Sequence, residues 1–283
     1  MTTRFLTVLF AACLLAHACG GVPKALEDKQ PTADEERKAF ERAMPRLRDL
    51  LYCDKSLYEA LDIFAVNDEA VGRAVTEVRA KEYDRALATL RGLKGRGESP
   101  EGLSYWLALA AAHRGAGNAE EARDAARHLV SSEETRVSLQ AWTVLRELGE
   151  SPPAKHADDV LGVVVETGLE DGVAVVAGYD DGVARVFFSR GGGVIGDFEP
   201  EPVQRAAKEL TRTAAPLARS LAAGARQGLP ARGRVRITLL TPSGARVAEE
   251  DIDRVEEAGH RLYAVYVAAR GLFAEVNKTY EAK

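Results

Sequence analysis

The sequence predicts an α+β protein of two domains: an all-α N-terminal half of paired helices, and a C-terminal antiparallel sheet with two covering helices. Three observations carry this. Between residues 33 and 149, apolar residues recur at three- and four-residue steps, and related segments return 36 residues apart. Gly149 to His156 then breaks the pattern, with a helix-stopping glycine followed by Pro152-Pro153, which forces extended backbone. Beyond it, short β-branched runs alternate with Asp-Gly turns. The expected domains are therefore 33–149 and 157–283, joined by a linker at 150–156.

Composition limits what the chain can be. Of 283 residues, 46% are apolar and 29% charged, enough apolar surface to build a core. Only 6% are aromatic, so Ala, Val and Leu must fill that core. The formal charge is −5, and Lys and Arg are interleaved with acids rather than clustered, which argues against a nucleic-acid partner.

The first residues pair Arg4 with an apolar run from Phe5 to Ala16, too short to span a bilayer, which needs about 20 apolar residues. A charged start, a short apolar core and small residues after it make an export signal over 1–18. The small-residue site ends in Ala18-Cys19-Gly20. This resembles the bacterial lipoprotein signal, whose cysteine is acylated and becomes the mature N-terminus. The family's Leu-(Ala/Ser)-(Gly/Ala)-Cys is here Ala16-His17-Ala18-Cys19, with Leu15 one place early. The resemblance implies lipidation at Cys19 and attachment to the bilayer of the bacterial cell envelope, at the outer membrane facing the periplasm. Cys13 is a rival acceptor with a shorter apolar core, and cleavage without lipidation is the other alternative. Loss of residues 1–18 removes Arg4 and no acid, leaving 37 bases against 43 acids, or −6. Cys53 then has no pairing partner besides Cys19 and reads as a small buried apolar residue.

Residues 19–32 carry the anchor and a polar, proline-containing tether. Thr32 with Glu35 fits a capping box, after which Phe40, Met44, Leu47 and Leu51 keep helical spacing, followed by Leu57, Leu61 and Phe64. The helical half centres on 103–129, two helices around Gly115-Ala116-Gly117-Asn118. Ala86 and Ala122 lie 36 apart, as do Trp106 and Trp142. Further caps are expected at Ser99, Asn118 with Glu121, and Ser131 with Glu134, and a closing helix at 134–148. Trp106, Leu109, Ala110, Gly117, Ala122 and Ala126 resemble the tetratricopeptide repeat, with departures at His113, Ala126 and Glu134, where the family prefers Tyr, an aromatic and Pro. The resemblance implies protein binding in a groove, with Tyr105 and His113 as partner-binding residues and both tryptophans in the core. An unrelated bundle of helical hairpins is the alternative.

In the second half, VLGVVVE, VAVVAGY and VARVFFS form a hairpin-linked meander. A helix with Val203, Ala207, Leu210, Ala214, Leu217 and Leu221 on one face follows. RVRITLLT alternates, with Val235, Ile237 and Leu239 inward and Arg234, Arg236 and Thr238 outward; Pro242-Ser243-Gly244 turns into a partner strand. One last helix is expected from Ile252 to Val276. The order of elements loosely resembles roadblock and profilin-like sheets, which bears on topology only.

Gly191-Gly-Gly193-Val-Ile-Gly196 spells G-x-G-x-x-G, but its strands are hairpin-linked and Asp197, Glu199 and Glu201 would repel phosphate. It reads as a glycine-rich turn. The five histidines show no metal spacing, and no hydrolase motif occurs. The reading is a membrane-anchored interaction or scaffold protein with an unidentified protein partner, no cofactor, no metal and no catalytic residue. The alternative is an enzyme or nucleotide-binding protein with its site near 191–197.

Overall fold

A computed structural model describes residues 33–64, 69–95, 102–170, 172–189, 193–195 and 200–281. The expected export signal, Cys19 and the expected tether lie outside them. The protein is α+β, and it divides into two compact units. One comprises 53–161 and 240–244; the other comprises the chain up to Tyr52, 162–239 and 245–283.

The helical unit contains α2 (Leu57–Phe64), α3 (Glu69–Arg79), α4 (Tyr83–Gly95), α5 (Leu103–Gly115), α6 (Ala119–Arg127) and α7 (Thr135–Glu147). Helices α3 and α4 pack as one hairpin and α5 and α6 as another; α3 and α4 both touch α5, and α2 touches α5 and α7. Small residues permit the close approaches. Ala86 and Ala122 are fully buried, and a side chain on Gly115 would collide with the Tyr83 ring. Helices α3, α5 and α7 end in the same way. The residue in the left-handed region is Lys81 (φ 62°), Gly117 (φ 85°) and Gly149 (φ 83°) respectively. In each case the next N–H reaches back five residues to a helix carbonyl: Glu82 to Glu77 at 2.9 Å, Asn118 to His113 at 2.8 Å, Glu150 to Leu145 at 2.9 Å.

These three ends stand at 81, 117 and 149, steps of 36 and then 32 residues. Trp106 therefore lies eleven positions before its turn and Trp142 only seven, so the two tryptophans are not equivalent. The shift is about one helical turn, which keeps roughly the same face and hides the slip from a periodicity argument. Trp142 is 8% exposed, as expected of the core; Trp106 is only half-buried and stacks on His128 at 3.9 Å. Of the expected caps, Thr32 and Ser99 lie outside the described residues, Asn118 holds in place but not in chemistry, and Ser131 does not hold. Asn118 occupies the N-cap of α6 without a side-chain bond to it, and α7 starts after Glu134 rather than Ser131.

The other unit holds a seven-stranded sheet: β1 (Gly162–Leu169), β2 (Gly172–Tyr179), β3 (Ala184–Phe188), β4 (Gly193–Ile195), β5 (Ala222–Ala223), β6 (Arg234–Thr241) and β7 (Gly244–Asp251). The tip of the β6–β7 hairpin, 240–244, belongs to the helical unit. The order is β4-β3-β2-β1-β6-β7-β5, and β1 to β4 form the expected antiparallel meander. Gly182 (φ 93°) makes the β2–β3 turn, where the Asp181 carboxylate accepts from Val183 N–H.

One sheet face carries α8 (Glu201–Ala214) and α10 (Tyr263–Glu281), with Leu210 and Leu272 meeting over Gly178 and Phe188 edge-on to Phe273. The expected last helix is two: α9 (Ile252–Val255) stops, Gly259 turns at φ 99°, and α10 begins at Tyr263. The other face is covered by α1 (Ala33–Tyr52), which sequence order had assigned to the helical domain. Side chains alternate along a strand, so Tyr179 points away from Gly178, and its hydroxyl donates to Leu51 O at 2.7 Å. The sheet thus has three covering helices rather than two. Arg236 and Thr238, expected to face solvent, are 5% and 1% exposed, because a covered second face leaves no solvent side on β6.

Candidate functional site

The densest polar constellation lies between α1 and the sheet. Glu166 sits mid-strand on β1 and is 0% exposed, a position at which a carboxylate must be paired. Arg48 supplies a fork, Nε donating to Oε1 at 2.7 Å and Nη2 to Oε2 at 3.2 Å, while Nη2 also donates to Gln227 O. From β6, Arg236 adds a donor to Oε2 at 3.4 Å, donates to Gly228 O, and reaches Glu249 on β7 through Nε at 2.9 Å. Arg226 donates to Asp49 at 2.6 Å. Burial works against charge on Arg48, but Glu166 outweighs it and the guanidinium is held more firmly protonated than usual.

Tyr52 lies among these charges. The Arg48 and Arg226 guanidiniums each stand 5.4 Å from its ring centre. Its hydroxyl is buried, with the Thr238 and Glu166 side chains as its polar neighbours. Burial, and then the neighbouring Glu166, push its ionisation well above the usual range. Three guanidiniums meet three carboxylates here, so the cluster balances. It contains no histidine and no cysteine, and what it can do is orient α1.

Set against protein-family models, curated proteins and solved structures, the chain matches none of them. Function must be argued from its own residues.

The expected partner-binding pair divides. Tyr105 is 5% exposed, in the core of the helical unit and edge-on to Trp106 at 5.2 Å, so it presents no free face; this corrects its expected place in a groove. The repeat resemblance implied a free face there, whereas α3, α4, α2 and α6 all pack against α5. His113 is half-buried in the last turn of α5; its Nδ1 is buried with no partner among the described residues. Burial first, and Arg91 in addition, lower its pKa against an opposing effect of Glu121, so the imidazole is favoured neutral.

The glycine-rich turn lies mostly outside the described residues. Within them, Gly193 has a structural cause: an added Cβ would stand 2.5 Å from Val186 O and 2.7 Å from Phe187 Cβ, across the β3–β4 pairing. Cys53 is buried, as expected. A cleft of about 740 Å³ lies over α8, lined by Asp180, Arg205, Ala206, Lys208, Glu209 and Arg212. Arg212 is paired with Glu209 and Arg205 with Glu201, and no aromatic or histidine lines it. Among the described residues no three His, Cys, Asp or Glu side chains group as metal ligands, and no helix is long and apolar enough to cross a membrane.

Sequence reading missed the Arg48–Glu166 pair. A signal existed: Glu166 stands alone within VLGVVVETGL, where strand neighbours are apolar. Its partner is 118 residues earlier, beyond any local pattern.

Proposed function

We propose that the protein is a protein-interaction or scaffold component of the bacterial cell envelope, held to the membrane through acylated Cys19 and binding a protein partner with its helical unit. The observation that carries this reading is the recurrence of helical hairpins, α3–α4 and α5–α6, with equivalent turn geometry and fully buried Ala86 and Ala122 at matching positions. Such a stack, resembling the tetratricopeptide repeat, offers a broad protein-sized surface rather than a small-molecule cavity. Its exposed chemistry suits an interface. Tyr58 is 37% exposed with the Arg114 guanidinium 5.5 Å from its ring, and Tyr and Arg are the side chains that most often dominate binding energy. His113 remains a candidate contact, and Tyr105 does not.

The test has two arms. Growth with labelled palmitate should mark the wild type, and Cys19→Ser should lose the label and leave the membrane fraction; label persisting in Cys19→Ser would remove the anchor. Affinity capture of the anchored protein should yield a partner whose recovery falls about ten-fold or more in Tyr58→Ala or His113→Ala. Undiminished recovery in both variants, with their melting temperatures unchanged, would place the binding surface elsewhere.

A further inference from the structure

Helix α1 has two unlike sides. Met44, Leu47 and Leu51 are buried on the side that covers the sheet. At about 100° per residue, Lys38, Arg42 and Arg46 fall on the opposite side. They follow one another at four-residue steps over about 12 Å, and all three are exposed. We propose that this basic ridge lies on the anionic headgroups of the bilayer that holds the Cys19 anchor. The sheet unit then meets the membrane through α1 and turns α8 and α10 away from it. This contact rests on the acyl anchor proposed above and adds a protein surface to it.

Charge and chain length both point to a lipid surface. Among the described residues no carboxylate pairs with Lys38, Arg42 or Arg46, whereas Arg48 is engaged on Glu166, and Asp49 on Arg226. The acids at 34–36 occupy the first turn, before the ridge begins, and Glu41 stands a 100° step away from Arg42. Like charges one turn apart oppose a helix, a cost that anions lying along all three remove. The ridge is straight and sits on the outward flank of a helix, so it suits a plane of phosphates rather than one small ligand. Residues 19–32 number 14, and a flexible tether of that length spans about 20 Å on average. The start of α1 is therefore held near the acylated end, at a local concentration in the millimolar range, where a weak three-charge contact is populated. The attraction must be local, because the mature chain carries 37 bases against 43 acids and is repelled as a whole by an anionic surface. Headgroup charge acts only within a Debye length of about 8–10 Å, so the element nearest the bilayer decides the orientation.

The experiment sets vesicles of phosphatidylglycerol against vesicles of phosphatidylcholine. The protein is the full mature chain, 19–283, carrying Cys19→Ser so that no acyl chain contributes. Sedimentation at low salt should show binding to phosphatidylglycerol about 30-fold or more tighter than to phosphatidylcholine. The preference should vanish at about 1 M salt, where the Debye length falls to about 3 Å. Lys38→Gln, Arg42→Gln and Arg46→Gln together should abolish it. If that triple variant fails to fold, Arg42→Gln alone should weaken it about five-fold. Arg205→Gln, Lys208→Gln and Arg212→Gln remove the same charge from α8 and should leave the preference unchanged. The anchor answers separately, to the palmitate label: a labelled wild type whose Cys19→Ser chain prefers neither lipid would overturn the ridge and leave the anchor standing. Equal losses in the two triple variants would also overturn it.

Discussion

The two units place their charges differently. In the helical unit, Glu77 is a nearly buried carboxylate, but its partners Arg73 and Arg85 are largely exposed, so the ion pairs lie at the rim of an aliphatic core. In the sheet unit, Glu166 and Arg236 are both interior, and Arg48 joins them from a helix 118 residues away. The cause is the architecture. Helices satisfy their own backbones, and neighbouring hairpins meet mostly through small and aliphatic side chains. A sheet closed on both faces has no solvent side, so a charged residue in the middle of a central strand, such as Glu166 or Arg236, is carried inward and must find a partner.

That contrast should show in stability. The largest effect belongs to Glu166→Ala, which leaves Arg48 and Arg236 facing each other in the interior; urea denaturation should register a loss of about 3–5 kcal/mol. The double variant Arg48→Met, Glu166→Leu should recover most of it, and failure to recover would mean that shape rather than charge sets the seat of α1.

In the helical unit cavities should matter more than charges. Tyr105→Ala should cost about 3 kcal/mol by calorimetry, as deletion of a buried aromatic does. Trp106→Ala should cost clearly less, because Trp106 is half-exposed against His128. Equal costs would restore Trp106 to the core, as the repeat resemblance implied. Glu77→Ala should lose only about 1 kcal/mol, since exposed pairs contribute little, and the lost Thr89 hydroxyl bond makes up the rest. A loss matching that of Glu166→Ala would erase the distinction between the units.

The smallest expected effect is a gain. Lys81 takes the left-handed place that glycine fills at 117 and 149, so Lys81→Gly should raise stability by up to about 1 kcal/mol. A loss would mean that the Lys81 side chain makes a contact the turn needs.

Much of this was legible locally. Turns at Gly172 and Gly182, helix ends at Gly117 and Gly149, and the buried Val235, Ile237 and Leu239 all follow from φ preferences and apolar periods that act over a few residues. The same logic misaligned Trp106 with Trp142, because a shift of one helical turn leaves the face nearly unchanged. It joined α9 to α10, because a stripe of apolar residues does not report the left-handed Gly259 that interrupts it.

Sequence alone determined which segments are helix or strand, since that choice depends on neighbours within one or two turns. Only the tertiary structure decided which face each segment covers. Residues 33–52 read as the first of a series of helices, yet they close the second face of a sheet whose first strand begins at Gly162. Amphipathic spacing states that a helix has an apolar side without naming what lies against it. The partner is chosen by the long-range pairing of Arg48 with Glu166 and by the apolar area left uncovered on β1 and β2, neither of which exists until the strands have come together.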